Sequence, residues 1–152
     1  MRAVVQRVRE ARVEVAGETV AAMGAGLLAL VGVAAGDGPD DAAWLADKLV
    51  GLRLFDDASG RMNRSLLETG GTLGLVSQFT LLGDARKGRR PSWAAAAAPV
   101  EAEPLLETRA TRARDAGAPV VTGRFRATMD VALVNAGPVT LVLDSPRRGA
   151  SG

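Results

Sequence analysis

The side chains able to carry chemistry in this sequence form a restricted set, because two reactive types are missing. The chain of 152 residues contains no histidine and no cysteine. It therefore has no Ser-His-Asp triad, no imidazole base, no thiolate nucleophile, and no histidine or cysteine ligand for a metal. Any catalysis must use Ser, Thr, Asp, Glu, Lys or Arg side chains, backbone groups, or functional groups of the substrate itself.

The first candidate site is the segment Ser-Gln-Phe-Thr-Leu at residues 77–81, which ends an apolar stretch. The hydroxyls of Ser77 and Thr80 flank the amide of Gln78 and the ring of Phe79. Strand alternation would put Ser77 and Phe79 on one face and the other two side chains on the opposite face. No base adjoins the hydroxyls, so neither is an evident nucleophile. From these residues alone, hydroxyls that cap the following turn are the simpler interpretation.

The densest positive charge lies in the segment Arg-Lys-Gly-Arg-Arg at residues 86–90, the basic loop. Lys87, Arg89 and Arg90 are suited to contacting a phosphate backbone without reading its sequence. A solvated surface loop is the alternative interpretation. The whole chain carries 19 basic and 17 acidic residues, which argues against a strongly cationic protein that wraps nucleic acid.

The segment Asn-Ala-Gly-Pro-Val-Thr at residues 135–140 is typical of a turn between two strands. Pro138 would occupy the first residue of the second strand, where its missing N–H is tolerated. A tight turn is the main setting for a cis X-Pro bond, but only about 5–6% of such bonds in folded proteins are cis. The turn by itself therefore predicts an ordinary trans bond between Gly137 and Pro138.

Hydrophobic periodicity predicts the elements that position these segments. Strands are predicted at residues 4–8, 13–15, 19–23, 27–33, 53–55, 72–82, 120–122, 129–134 and 139–144. An amphipathic helix is predicted from two acids at 40 and 41 to residue 52, while residues 93–98 and 104–116 are helix-prone and separated by Pro99 and Pro104. These elements indicate one α+β domain over residues 1–145, with a mostly antiparallel sheet, two main helices and a flexible tail at 146–152.

No segment is predicted to cross or enter a membrane. Residues 1–10 are too often interrupted by charge for a signal peptide. The longest uncharged apolar stretch, residues 23–35, is too short and too rich in glycine to span a bilayer, which takes roughly 20 residues. These features favour a cytoplasmic protein.

Four segments considered together resemble a known family. MRAVVQRV at 1–8, SQFTL at 77–81, RKGRRPS at 86–92 and NAGPVT at 135–140 closely resemble the D-aminoacyl-tRNA deacylases, formerly called D-Tyr-tRNA(Tyr) deacylases. The similarity extends from residue 1 to about residue 145. It implies a homodimeric cytoplasmic enzyme with an antiparallel, barrel-like sheet and outer helices. Such enzymes hydrolyse the ester between a D-amino acid, or glycine, and the terminal adenosine of tRNA.

The resemblance also implies a chirality filter. In this family the Gly-Pro peptide is cis and is inserted from one subunit into the pocket of the other, which assigns that role here to Gly137 and Pro138. Their fixed carbonyls would hold the α-amino group of the substrate, so that an L side chain points into the wall and a D side chain points away. Met129 would line the pocket, and Arg7 would brace the Gly-Pro loop across the dimer. Core packing and a surface arginine are the alternatives for these two residues.

Around the ester, the resemblance places Ser77, Gln78, Phe79 and Thr80. Thr80 is the family's candidate nucleophile. In the competing mechanism the 2′-hydroxyl of the terminal ribose assists, while backbone N–H groups near Phe79 and Thr80 stabilise the oxyanion. The lack of histidine favours substrate assistance, because nothing in residues 77–81 readily deprotonates Thr80. No metal or cofactor is implied.

Four positions depart from the usual pattern of the family: Ala136 where Asp is common, Arg126 where glycine is usual, and Leu82-Gly83 in place of Tyr-Ala. Two other functions stay open. The first is a non-catalytic RNA- or DNA-binding dimer that uses the basic loop, and salt-sensitive binding without turnover would indicate it. The second is an RNA-independent esterase, which would hydrolyse free D-amino acid esters at a comparable rate.

Overall fold

The computed structural model describes residues 1–146, so residues 147–152 of the predicted tail lie outside the described part of the chain. The strands are β1 (Arg2–Val15), β2 (Glu18–Met23), β3 (Gly26–Gly32), β4 (Phe55–Asp56), β5 (Met62–Arg64), β6 (Thr72–Ser77), β7 (Val120–Thr122) and β8 (Asp130–Asp144). The α-helices are α1 (Pro39–Gly51), α2 (Leu66–Thr69) and α3 (Pro99–Asp115), and a 3₁₀ turn spans Phe79–Leu82.

The long strand β1 organises the sheet. Residues 2–8 of β1 pair antiparallel with β3, residues 11–15 pair antiparallel with β2, and β8 runs antiparallel along the other edge. Beyond β3, β6 and β7 add parallel pairings. The sheet nearly closes on itself, because a Cβ built on Gly74 in β6 would stand 2.7 Å from the sulfur of Met23 in β2. The predicted α+β class, with a barrel-like sheet and two substantial helices, is confirmed.

Apolar side chains cover both faces of β3, which explains why its sequence is a continuous apolar run. Leu27 and Val31 are fully buried in the larger core, which also contains Leu45 and Leu49 of α1. Leu28 faces a second, smaller core formed with β1, β6 and the start of β8. The helices therefore pack on one face of the sheet, and the barrel interior occupies the other.

Two pairs of predicted strands are each a single strand. Residues 4–8 and 13–15 belong to β1, while residues 129–134 and 139–144 belong largely to β8, which continues through the expected turn at 135–138. Both strands are continuous because β1 and β8 pair with each other along most of their length. Register shifts between Gln6 and Val8 and between Val8 and Glu10 accommodate the Gly-Pro segment. The Gly137–Pro138 bond is cis, whereas the turn by itself predicts trans.

The predicted strand at 72–82 ends five residues early. The N–H of Gln78 still bonds to the carbonyl of Val31 at 2.8 Å, after which the chain enters the 3₁₀ turn. The expected alternation of side chains from Ser77 to Leu81 is therefore wrong, because strand periodicity stops at Ser77.

The predicted helix at residues 104–116 is confirmed as the larger part of α3, but the prediction of a separate helix-prone segment at residues 93–98 is wrong. Residues 93–98 contain no helix, and α3 begins at Pro99 and continues through Pro104. Pro99 is tolerated because the first N–H of a helix has no acceptor within the helix. Pro104 is exposed, and the turns after it bury the stripe that includes Leu105, Leu106 and Ala110. None of the helices within residues 1–146 is long and apolar enough to cross a membrane.

Replacing Gly26 with alanine is expected to lower the free energy of unfolding by about 3 kcal/mol or more. A Cβ at this position would stand 1.9 Å from the carbonyl oxygen of Thr72, so β3 and β6 would have to separate. Urea denaturation measures the change. Gly24→Ala is the matched control, because a Cβ there meets no atom of residues 1–146 within 4 Å. Equal stability of the two variants would contradict the close approach of the strands.

Candidate functional site

A cleft of about 660 Å³ opens where β6 ends, and we call it the β6 cleft. The 3₁₀ turn forms one wall, the first turns of α3 form another, and residues 125–131 close the third side. Ser77, Gln78, Phe79, Thr80 and Met129 all line it. The structure thus brings together every residue that the resemblance placed around the ester, together with the predicted pocket residue Met129.

Two backbone donors in the wall of the β6 cleft are unused. Leu81 and Gly83 donate their N–H groups to the carbonyls of Gln78 and Thr80, at 3.3 and 3.0 Å. The N–H groups of Phe79 and Thr80 start the 3₁₀ turn and donate to no acceptor within residues 1–146. They are suited to stabilising a negatively charged oxygen in the cleft.

The β6 cleft offers no protein base. None of its described lining residues is a carboxylate, and Arg126 is its one charged residue. The Thr80 hydroxyl thus has no neighbour in this lining that can accept its proton at neutral pH. Within residues 1–146, no group of three or more acidic side chains is placed to hold a metal ion. A reaction in this cleft that needs a general base would have to take it from outside the described lining.

An aromatic contact joins the β6 cleft to the segment that follows the basic loop. The rings of Phe79 and Trp93 meet edge to face, with centroids 5.5 Å apart and planes at 74°. Phe79 is 56% exposed and Trp93 is 42% exposed. Asp84 and Ser92 exchange two backbone hydrogen bonds of 2.8 Å, which close the base of the loop between them.

One arginine of the basic loop is paired, and three other cations remain available. Arg86 donates hydrogen bonds to both carboxylate oxygens of Asp84, and these bonds lower the pKa of Asp84 to about 2. Lys87, Arg89 and Arg90 are exposed and form no ion pair with any residue in the described range. The free positive charge of the loop is therefore concentrated at its tip.

The Gly-Pro segment lies apart from the β6 cleft of its own chain. Neither Gly137 nor Pro138 lines that cleft, and both are exposed. Arg7 holds the segment from behind, with Nε donating to the carbonyl of Ala136 at 3.2 Å. The side-chain amide of Asn135 adds bonds of 3.0 Å to the carbonyls of Arg7 and Val139. The segment is thus a braced projection rather than a wall of the cleft in the same chain.

Arg7 is itself fixed by the neighbouring segment. Its Nη1 donates to the carbonyl of Leu54 at 2.8 Å and lies 3.4 Å from Oδ1 of Asp56. The brace from Arg7 to Ala136 is therefore a contact within one chain, and its part in a dimer stays a prediction.

Sequence patterns missed the outer walls of the β6 cleft. Ala102 and Leu106 of α3 contribute at helical spacing, and Phe125 and Arg126 contribute from the loop before β8. Arg126 adopts a left-handed backbone with φ of 62°, a conformation that favours glycine. The one signal in the sequence was the arginine at a position where glycine is usual.

Comparison with known proteins gives a consistent result. Residues 4–144 match the family described as D-Tyr-tRNA(Tyr) deacylase. A D-aminoacyl-tRNA deacylase of Thermomicrobium roseum is 57% identical over 152 residues, covering 99% of this chain and 99% of its own. A D-aminoacyl-tRNA deacylase of Myxococcus xanthus is 58% identical over 146 residues, covering 96% of this chain and 95% of its own.

Two solved structures share the fold. The c-Myc DNA Unwinding Element Binding Protein superimposes with a TM-score of 0.91 at 35% identity, covering 97% of this chain and all of that chain (100%). A probable eukaryotic D-amino acid tRNA deacylase superimposes with a TM-score of 0.79 at 17% identity, covering 93% and 97% of the two chains. At that identity, the second likeness shows the fold alone.

Proposed function

This chain belongs to the D-Tyr-tRNA(Tyr) deacylase family, and we propose that it cleaves the ester between a D-amino acid and the 3′-terminal adenosine of tRNA. The observation that carries the proposal is the composition of the β6 cleft, whose lining within residues 1–146 has unused amide donors and no carboxylate. Such a site suits an ester whose own neighbouring group assists its hydrolysis. We place the reaction in the cytoplasm, where aminoacyl-tRNA is used.

The proposed reaction is hydrolysis assisted by the 2′-hydroxyl of the terminal ribose. Water attacks the acyl carbon, the bond from that carbon to the 3′ oxygen breaks, and the 3′ oxygen receives the proton that the water loses. The 2′-hydroxyl adjoins the leaving oxygen and relays this proton. The N–H groups of Phe79 and Thr80 stabilise the charge that develops on the carbonyl oxygen. Ser77 and Gln78 hold the substrate, and no covalent enzyme intermediate is formed.

The proposed selectivity arises in a homodimer, in which Gly137 and Pro138 enter the β6 cleft of the partner. Three observations support this arrangement: the two residues are exposed, they lie outside the cleft of their own chain, and they are braced by Arg7. Their backbone would bind the α-amino group and leave no space for an L side chain. Glycine has no side chain to reject, so glycyl-tRNA is also a proposed substrate.

Removing the three free cations of the basic loop is expected to weaken tRNA binding and to flatten its dependence on salt. The variant is Lys87→Gln/Arg89→Gln/Arg90→Gln, and the slope of log K against log salt should fall by about 2 to 3. Each cation contributes by displacing counterions from phosphates. Lys48→Gln is the matched control for Lys87→Gln. It removes the same charge from α1, outside the basic loop, where Lys48 lies over the Trp44 ring. An unchanged slope in the triple variant would contradict a role in RNA binding.

DNA binding is a second candidate function, favoured by the likeness to the c-Myc DNA Unwinding Element Binding Protein. The exposed cations of the basic loop would serve it equally well, since phosphate contacts carry no sequence information. Hydrolysis separates the candidates. Salt-sensitive binding of DNA by folded protein, without loss of any tRNA ester, would favour DNA binding.

The test of the proposed function compares D-tyrosyl-tRNA with the free methyl ester of D-tyrosine, using purified protein. Release of D-tyrosine from the tRNA ester well above its spontaneous rate is expected, with far slower release from the free ester. Comparable rates would indicate an esterase that does not need RNA. No release from either ester by folded protein would contradict the proposal.

A further inference from the structure

Arg109 of α3 is a buried cation with unused hydrogen-bond donors. It is 2% exposed, and its Nε and Nη1 atoms are buried without a hydrogen-bond partner. It forms no ion pair with any residue between 1 and 146. An unpaired buried charge lowers the free energy of unfolding, and a bound anion would offset that cost. Residues 1–146 provide no such anion.

Arg109 lines a second cleft of about 550 Å³, which we call the arginine cleft. Arg114 and Arg124 add two exposed cations, while Glu103 and Glu107 add two carboxylates. Neither carboxylate lies within ion-pair distance of Arg109. Burial lowers the pKa of Arg109 to about 9, which leaves it protonated at neutral pH.

The arginine cleft borders the β6 cleft. Ser77, Leu106 and Phe125 line both. Thr122 adds a hydroxyl to the arginine cleft alone. An anion held by Arg109 would therefore occupy a site that borders the β6 cleft.

We propose that the arginine cleft binds a phosphodiester group of the tRNA 3′ end while the terminal ester occupies the β6 cleft. This inference rests on the proposed function and extends it by assigning a second part of the substrate to a site. Guanidinium groups donate in a fork that matches two phosphate oxygens, and the Nε and Nη1 donors of Arg109 have no partner within residues 1–146. Arg114 and Arg124 would add charge at the rim.

A purely structural role for Arg109 predicts the opposite behaviour on substitution. Replacing an unpaired buried charge with an apolar side chain of similar length is expected to stabilise the fold. The variant Arg109→Met should therefore raise the melting temperature and yet weaken binding of the substrate. An arginine needed only for folding would lower the melting temperature when replaced.

The test measures equilibrium binding of the trinucleotide CpCpA, which carries two phosphodiesters, and of adenosine, which carries none. Arg109→Met is expected to weaken CpCpA binding by about tenfold to a hundredfold and to leave adenosine binding unchanged. Arg112→Met is the matched control on the same helix, because Arg112 pairs with Asp47 outside the arginine cleft. Arg109→Lys keeps the charge without the fork and should restore part of the affinity.

Binding of CpCpA does not depend on hydrolysis. The binding test would therefore still decide the role of Arg109 if the proposed reaction were not observed. Unchanged CpCpA affinity in Arg109→Met would overturn the inference. Inorganic phosphate tests whether the arginine cleft binds free phosphate instead of a phosphodiester of tRNA. If phosphate raises the melting temperature of the wild type but not of Arg109→Met, while CpCpA affinity stays equal, the cleft binds free phosphate and the assignment to tRNA is overturned.

Discussion

A D-tyrosyl-tRNA that lacks the 2′-hydroxyl on its terminal ribose is expected to be hydrolysed about a hundredfold to ten-thousandfold more slowly than the normal ester. General acid–base assistance contributes a factor of this size, and the described lining of the β6 cleft contains no carboxylate that could supply it. Thr80→Ala is expected to slow the reaction by less than about tenfold, since no residue in the described lining of the cleft is a base that could activate Thr80 as a nucleophile.

Single-turnover hydrolysis separates these steps from substrate binding and product release. The substrate is charged through its 3′ oxygen in both forms, so only the neighbouring hydroxyl differs. Thr80→Ser is the matched variant, because it keeps a hydroxyl at the same position. Full loss of turnover in Thr80→Ala, with Thr80→Ser active and the 2′-deoxy ester cleaved normally, would establish Thr80 as the nucleophile and refute substrate assistance.

Gly137→Ala is expected to reduce kcat/KM for D-tyrosyl-tRNA by about a hundredfold and to reduce the preference for the D ester over the L ester. Gly137 has φ of 126°, which alanine rarely adopts. An added Cβ would stand 2.8 Å from Nη2 of Arg7 and 3.1 Å from the backbone nitrogen of Val139. Either Arg7 releases the carbonyl of Ala136 or the segment itself moves, and both changes displace the proposed wall.

The control for Gly137→Ala is Gly60→Ala, which has a positive φ of 78° and an added Cβ that meets nothing within 4 Å. It reproduces backbone strain of the same kind, about 1–3 kcal/mol, in a turn remote from the Gly-Pro segment. Arg7→Met should reproduce much of the Gly137→Ala effect, because it removes the brace from the other side. A Gly137→Ala enzyme with wild-type rate and unchanged discrimination would refute the filter.

Local patterns predicted the elements whose signals are contained in a short stretch of sequence. The glycines around residues 27–33 bounded β3, and the acids at 40 and 41 marked the first turn of α1, where Asp41 accepts a hydrogen bond from the N–H of Gly38. The motif at 77–81 also marked one wall of the cleft. In each case the residues that define the structure are neighbours in the chain.

The features that sequence patterns missed depend on contacts between distant residues. β8 continues through Pro138 because it pairs with β1, more than a hundred residues away along the chain. The walls of the β6 cleft from Leu106 and Phe125 form only when α3 and the loop before β8 pack beside β6. Arg109 occupies a position in an ordinary helical repeat, and its unpaired burial follows from that packing alone.

Hydrolysis of D-tyrosyl-tRNA, L-tyrosyl-tRNA and glycyl-tRNA by the wild-type protein measures the proposed editing activity and its chirality filter together. We expect rapid loss of the D and glycyl esters, with the L ester hydrolysed about a hundredfold or more slowly. Equal loss of the D and L esters would contradict the chirality filter and direct attention to the turn at Ala136. Survival of all three esters in a folded, tRNA-binding sample would contradict the editing function itself.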